Sequence, residues 1–143
     1  MSFFNPTRDQ AREFYFALWA KSRAGEALTP LESIAFAIVM THPEYHEALA
    51  NPERYRDRDW KPEGGETNPF LHLSMHLALE EQLSIDQPPG IRESVRRIAG
   101  KRDSEHEARH AAMECLAEIV WQAQRHASGF DNAAYLACLA RKT

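Results

Sequence analysis

Apolar residues along this chain recur at steps of three and four, the spacing of one helical face, and the punctuation between these runs is proline. A capping residue followed by proline at the first helical position occurs at Asn5-Pro6, Thr29-Pro30, His42-Pro43, Asn51-Pro52 and Asn68-Pro69. Thr29 with Glu32 also makes a capping box. The pattern predicts helices over residues 6–24, 30–41, 43–50, 69–86, 90–101, 104–126 and 132–141, and no strand. Gly25 ends the first of these, Pro88-Pro89-Gly90 breaks the chain after the fourth, and Ser128-Gly129 after the sixth. Such short breaks favour antiparallel neighbours, so the expectation is an all-α, single-domain helical bundle over residues 1–143, with about five to seven helices. The stretch Asp57 to Thr67, with Trp60, Pro62, Gly64 and Gly65, is the one long irregular segment, and it stands where a lid over the next helix would lie.

The composition, 43% hydrophobic and 27% charged over 143 residues, is that of an ordinary folded chain that can bury a core. A net charge of −4 argues against nucleic-acid binding, which rests on neutralising phosphates. The basic run Arg92, Arg96, Arg97, Lys101 and Arg102 reads as a solvated helix face. No basic segment followed by an apolar run opens the chain, and no stretch is long enough to span a bilayer, so a cytoplasmic protein without membrane contact is expected. Cys115 and Cys138 sit inside helical apolar patterns, which predicts reduced structural thiols.

The histidines are ordered. Six of seven fall into pairs four apart, His42 with His46, His72 with His76, and His106 with His110, leaving His126 alone. Four residues apart on a helix, two imidazoles point the same way and can share a metal ion. Two pairs extend by the same step to a carboxylate, giving His72, His76, Glu80 and His106, His110, Glu114 on two long central helices. On a helical wheel with His72 at zero, His76 and Glu80 follow at about 40° and 80°, among Leu73, Leu79 and Leu83, with Ser74, Ala78, Glu81 and Gln82 opposite. The same construction places Met113, Ala117, Val120 and Trp121 around His106 and His110. Both stripes therefore read as buried, and buried carboxylates and imidazoles demand partners.

Metal is the leading answer: one or two ions of iron, manganese or zinc held by His72, His76, Glu80, His106, His110 and Glu114, joined by His42 and His46. Iron would suit an oxidoreductase and zinc or manganese a hydrolase acting on a small-molecule substrate, while nothing in the sequence names a nucleophile. The alternative is a non-enzymatic interaction or regulatory module, with a protein partner, whose histidines form a buried network with carboxylates. Haem between facing histidines is a third possibility. His106-Glu107-Ala108-Arg109-His110 also matches the H-E-x-x-H pattern of zinc proteases, a weak match by itself in a chain with no strand to seat a peptide.

The segment Glu63-Gly64-Gly65-Glu66-Thr67-Asn68-Pro69-Phe70-Leu71-His72, running on through His76 and Glu80 to Pro88-Pro89-Gly90, resembles the signature of a proteobacterial family described as domain of unknown function 1841. The resemblance extends over nearly the whole chain, including Asn5-Pro6, His42-Pro43-Glu44-Tyr45-His46, and Glu105-His106 through Glu114. It implies a bacterial cytoplasmic protein and assigns no activity or substrate to any residue.

Overall fold

A computed structural model describes residues 7–60, 65 and 67–143. Among them the fold is all-α, with eight helices: α1 Arg8–Ala24, α2 Pro30–Met40, α3 His46–Ala50, α4 Pro52–Tyr55, α5 Pro69–Ile85, α6 Ile91–Ala99, α7 Glu105–Arg125 and α8 Asn132–Arg141. A 3₁₀ turn, Pro43–Tyr45, precedes α3. The predicted helix over 43–50 is thus a 3₁₀ turn followed by a short α-helix, and α4 is an added turn begun by Pro52. Internal contacts divide the chain into two compact units, Met1–Leu77 and Ala78–Thr143, with the boundary inside α5. No helix among the described residues is long and apolar enough to cross a membrane.

In the first unit α1 packs on α2 and α3, and α3 on α4. The core takes Tyr15, Leu18 and Trp19 from α1, Ala35 and Val39 from α2, Leu49 from α3, and Phe70, Leu73 and Leu77 from α5. The cap of α1 is Thr7, whose hydroxyl accepts from the Gln10 amide while the Gln10 side chain accepts from the Thr7 amide. The expected Asn5-Pro6 start lies outside the described residues. Gly25 ends α1 at φ 71°, a left-handed conformation that costs glycine no steric strain. Thr29 and Glu32 form the expected capping box on α2, and the Lys21 ammonium donates to both Glu32 oxygens at 2.9 and 3.0 Å. The Thr29 amide and then the Lys21 ammonium hold the Glu32 carboxyl below its ordinary value. A depressed folded pKa adds stability above the unfolded pKa that is lost as pH falls through the folded one. Glu32→Gln should therefore cost about 0.5–1 kcal/mol at pH 7 and progressively less as pH falls below the ordinary carboxylate range, read by urea denaturation across that range.

In the second unit α6, α7 and α8 pack on one another. Their core joins Ile91, Val95 and Ile98 to Ala108, Ala112, Cys115, Leu116 and Ile119 and to Tyr135 and Leu139. Gln82, assigned to a solvent side by the wheel, is buried instead: the Tyr135 hydroxyl donates to its Oε1 at 2.7 Å. Burial pushes the Tyr135 phenol well above its ordinary value. Cys115 and Cys138, expected as reduced thiols, form a disulfide between α7 and α8. Their Cα atoms lie 5.8 Å apart, a separation the bond spans, and spacing along the chain could not show it. Gly90 opens α6 at φ 97°, letting Asp86 accept from the amides of Gly90 and Arg92.

Candidate metal centre

The position before proline is sterically biased away from the helical region, and His42 sits there at φ −129°, ψ 64°. It therefore does not share a helical face with His46. Its ring is buried and meets the two histidines that α5 presents one turn apart. His72 and His76 have ring centroids 4.9 Å apart, and His42 lies 5.0 Å from His72 and 4.7 Å from His76. Within the first unit three imidazoles are thus in mutual edge contact, His42 and His76 buried and His72 half-buried. His42 and His76 are among the histidines whose placement could hold a metal ion.

The hydrogen bonds of His42 settle which nitrogen carries a lone pair. Nδ1 lies 2.8 Å from the Ile38 carbonyl oxygen, which can only accept, so Nδ1 donates and the neutral ring keeps its lone pair on Nε2. Thr41 Oγ1, 3.0 Å from the same nitrogen, itself donates to Ile38 O. Metal-bound histidines characteristically spend their second nitrogen on a carbonyl in this way, fixing tautomer and ring direction. His46 is placed differently: Nε2 donates to the Val39 carbonyl at 2.9 Å, and the ring packs on Trp19 at 4.8 Å.

Tyr45, which spacing did not single out, stacks on His42 at 5.4 Å with the rings 5° from parallel and reaches His72 at 5.8 Å. Burial, and then the charge of Glu44, push its phenol above the ordinary value. Its place inside His-Pro-Glu-Tyr-His was the available signal.

In the second unit His106 and His110 are half-buried on successive turns of α7, ring centroids 4.1 Å apart. The wheel put this stripe in the middle of an apolar face, whereas the unit's core takes the opposite side of α7, through Ala108, Ala112, Cys115 and Ile119. Trp121 is accordingly 49% exposed, and Ala117 is exposed too. The carboxylates of the two stripes already have cations. Arg109 donates to Glu80 and, at 2.9 Å, to Glu105, while Lys142 donates to Glu114, whose side chain is 70% exposed. Glu107 is exposed and accepts from the Asp103 amide at 3.1 Å, closing the start of α7 with Ser104. That capping role accounts for the glutamate of the protease-like match.

The remaining sequence signals resolve as surface chemistry. Arg92 donates to the carbonyls of Leu83 and Ser84 at the end of α5, and Arg96 and Arg97 pair with Glu93. His126 is exposed at the end of α7 against Gln122. Of the lid-like segment, residues 61–64 and 66 lie outside the described residues.

The family model for the domain of unknown function DUF1841 matches residues 7–141, nearly the whole chain. The chain belongs to this family. Comparison with curated proteins and with solved structures finds no match. In this DUF1841 chain, the motifs that carried the resemblance are the ones that build the cluster. Asn68 caps α5, its side-chain oxygen accepting from the amides of Phe70 and Leu71, and so sets the turn on which His72 and His76 stand. His-Pro-Glu-Tyr-His delivers His42 and Tyr45.

Proposed function

We propose that this protein binds one or two divalent transition-metal ions through imidazoles, with His42, His72 and His76 of the first unit and His106 and His110 of the second as the candidate ligands. The observation that carries the reading is the contact of three imidazoles in the first unit, around a His42 whose Nδ1 proton is committed to a carbonyl. Neutral imidazoles suit zinc and iron better than they suit hard oxygen-seeking ions. Glu80 and Glu114 accept from Arg109 and Lys142, which compete with a metal for them, and His46, whose Nε2 donates to the Val39 carbonyl, would ligate through Nδ1. With iron the site would support oxidoreductase chemistry; with zinc or manganese, hydrolysis through a metal-bound water.

Elemental analysis of protein purified without a metal-binding tag should find one to two transition-metal ions per chain. No metal, even after reconstitution, would sink this reading and leave a non-enzymatic interaction or regulatory module as the account of the buried histidines. The proposal includes a cytoplasmic location. The Cys115–Cys138 bridge is of a kind that persists in oxidising compartments, so thiol trapping of the protein drawn from cells tests that part separately.

A further inference from the structure

Arg12 stands on α1 with 2% of its surface exposed. Among the described residues its guanidinium makes two hydrogen bonds, both from Nη1, to the carbonyl oxygens of Tyr55 at 3.2 Å and Arg56 at 2.8 Å. Nε is buried and, among the described residues, has no hydrogen-bond partner. The guanidinium carbon lies 5.2 Å from the ring centroids of both Trp60 and Phe70. Carbonyls and ring faces direct a cation but do not neutralise it, and an unsatisfied buried N–H is a rare feature that needs an explanation. Among the described residues the nearby carboxylates are Asp9, Asp57 and Asp59, and Asp59 is engaged by Arg8 at 3.3 Å.

We propose that Arg12 anchors a carboxylate-binding site in the first unit, its Nε–Nη2 edge taking both oxygens of a ligand carboxylate and Trp60 and Phe70 packing against the ligand's apolar body. The two N–H groups on that edge are parallel and match the spacing of carboxylate oxygens. Nη1, the nitrogen outside that edge, is the one held by the chain, so the guanidinium is oriented before the ligand arrives. A dianionic phosphate fits worse, because Asp9, Asp57 and Asp59 stand near this buried cation. The aromatic pair favours a small aromatic or branched aliphatic acid over acetate. This site needs no metal and is independent of the histidines.

The test is titration of the full chain with sodium benzoate, and separately with inorganic phosphate, at constant ionic strength, following arginine side-chain N–H resonances by NMR. One Nε–H resonance, identified by its loss in Arg12→Lys, should shift saturably with benzoate, and phosphate should bind at least tenfold more weakly. Arg12→Lys keeps the charge and loses the edge, so benzoate affinity, read by tryptophan fluorescence, should fall at least tenfold. An Nε–H resonance that does not move, benzoate binding unchanged in Arg12→Lys, or tighter binding of phosphate would each overturn the assignment. Should Arg12→Lys fail to fold, assignment of the wild-type resonances by through-bond experiments still decides it.

Discussion

Replacing His76 with alanine should release the bound metal, weakening affinity by roughly a hundredfold or more, since removal of even outer-shell partners costs ten- to hundredfold. His76 is buried on α5 and touches both His42 and His72, so its loss breaks every imidazole contact of the first-unit cluster except His42 with His72. His110→Ala should act likewise from the second unit, and His126→Ala should leave metal content unchanged. The stability readout needs care, because deleting a buried ring also costs about 1–3 kcal/mol through lost packing. The informative quantity is the metal-dependent increment: a chain held at a free metal concentration near a hundred times its Kd gains about 2.7 kcal/mol. Chelation should therefore lower the Tm of the wild type and leave that of His76→Ala where it is. Metal content intact in His110→Ala would remove the second-unit histidines from the ligand set. Equal loss in His126→Ala would mean the wrong histidines have been chosen.

Opening the Cys115–Cys138 bridge should have the next largest effect. The bridge spans a sequence separation of 23 residues, and closing a loop of that length restricts the unfolded chain by roughly 3 kcal/mol. Cys138→Ser is the cleaner variant, because Cys115 is fully buried and a hydroxyl there would lack a solvent partner. The Tm should fall by roughly 10 °C, and reductant should lower the wild type to about the same point without affecting the variant. A wild type indifferent to reductant would show that the bridge contributes nothing to stability. Since α7 carries His106 and His110 as well as Cys115, measuring metal affinity in Cys138→Ser reports whether the α7–α8 clasp also steadies those imidazoles.

Much of the secondary structure was legible from the residues because its causes are local. Thr29-Pro30 with Glu32, Asn68-Pro69, and Gly25 place helix ends through bonds that span three or four residues, and those ends stand where the pattern put them. The i, i+4 pairs His72 with His76 and His106 with His110 follow from helical pitch alone, and their rings do meet. His42-Pro43 shows where the same logic reverses: proline takes the preceding residue out of the helix, and what His42 then meets depends on where α5 lies.

Facing and pairing across elements had no such local cause. The wheel of α7 was read with its histidine stripe inward; the unit's own core takes Ala108, Ala112, Cys115 and Ile119 from the other side, while on the stripe's side Met113 is buried and His106 and His110 are half-buried. Gln82 is polar and was assigned outward; Tyr135, 53 residues further on, supplies the hydrogen bond that makes its burial tolerable. Glu80 and Glu114 pair with Arg109 and Lys142, cations 29 and 28 positions further along the chain, which no local pattern could place. The sequence by itself determined the all-helical class, most helix ends and the imidazole pairs, all consequences of backbone sterics and pitch. Only the tertiary structure decided which face each helix buries, that the cysteines bond, and that His42 joins His72 and His76, since these depend on groups far apart in the chain being packed together.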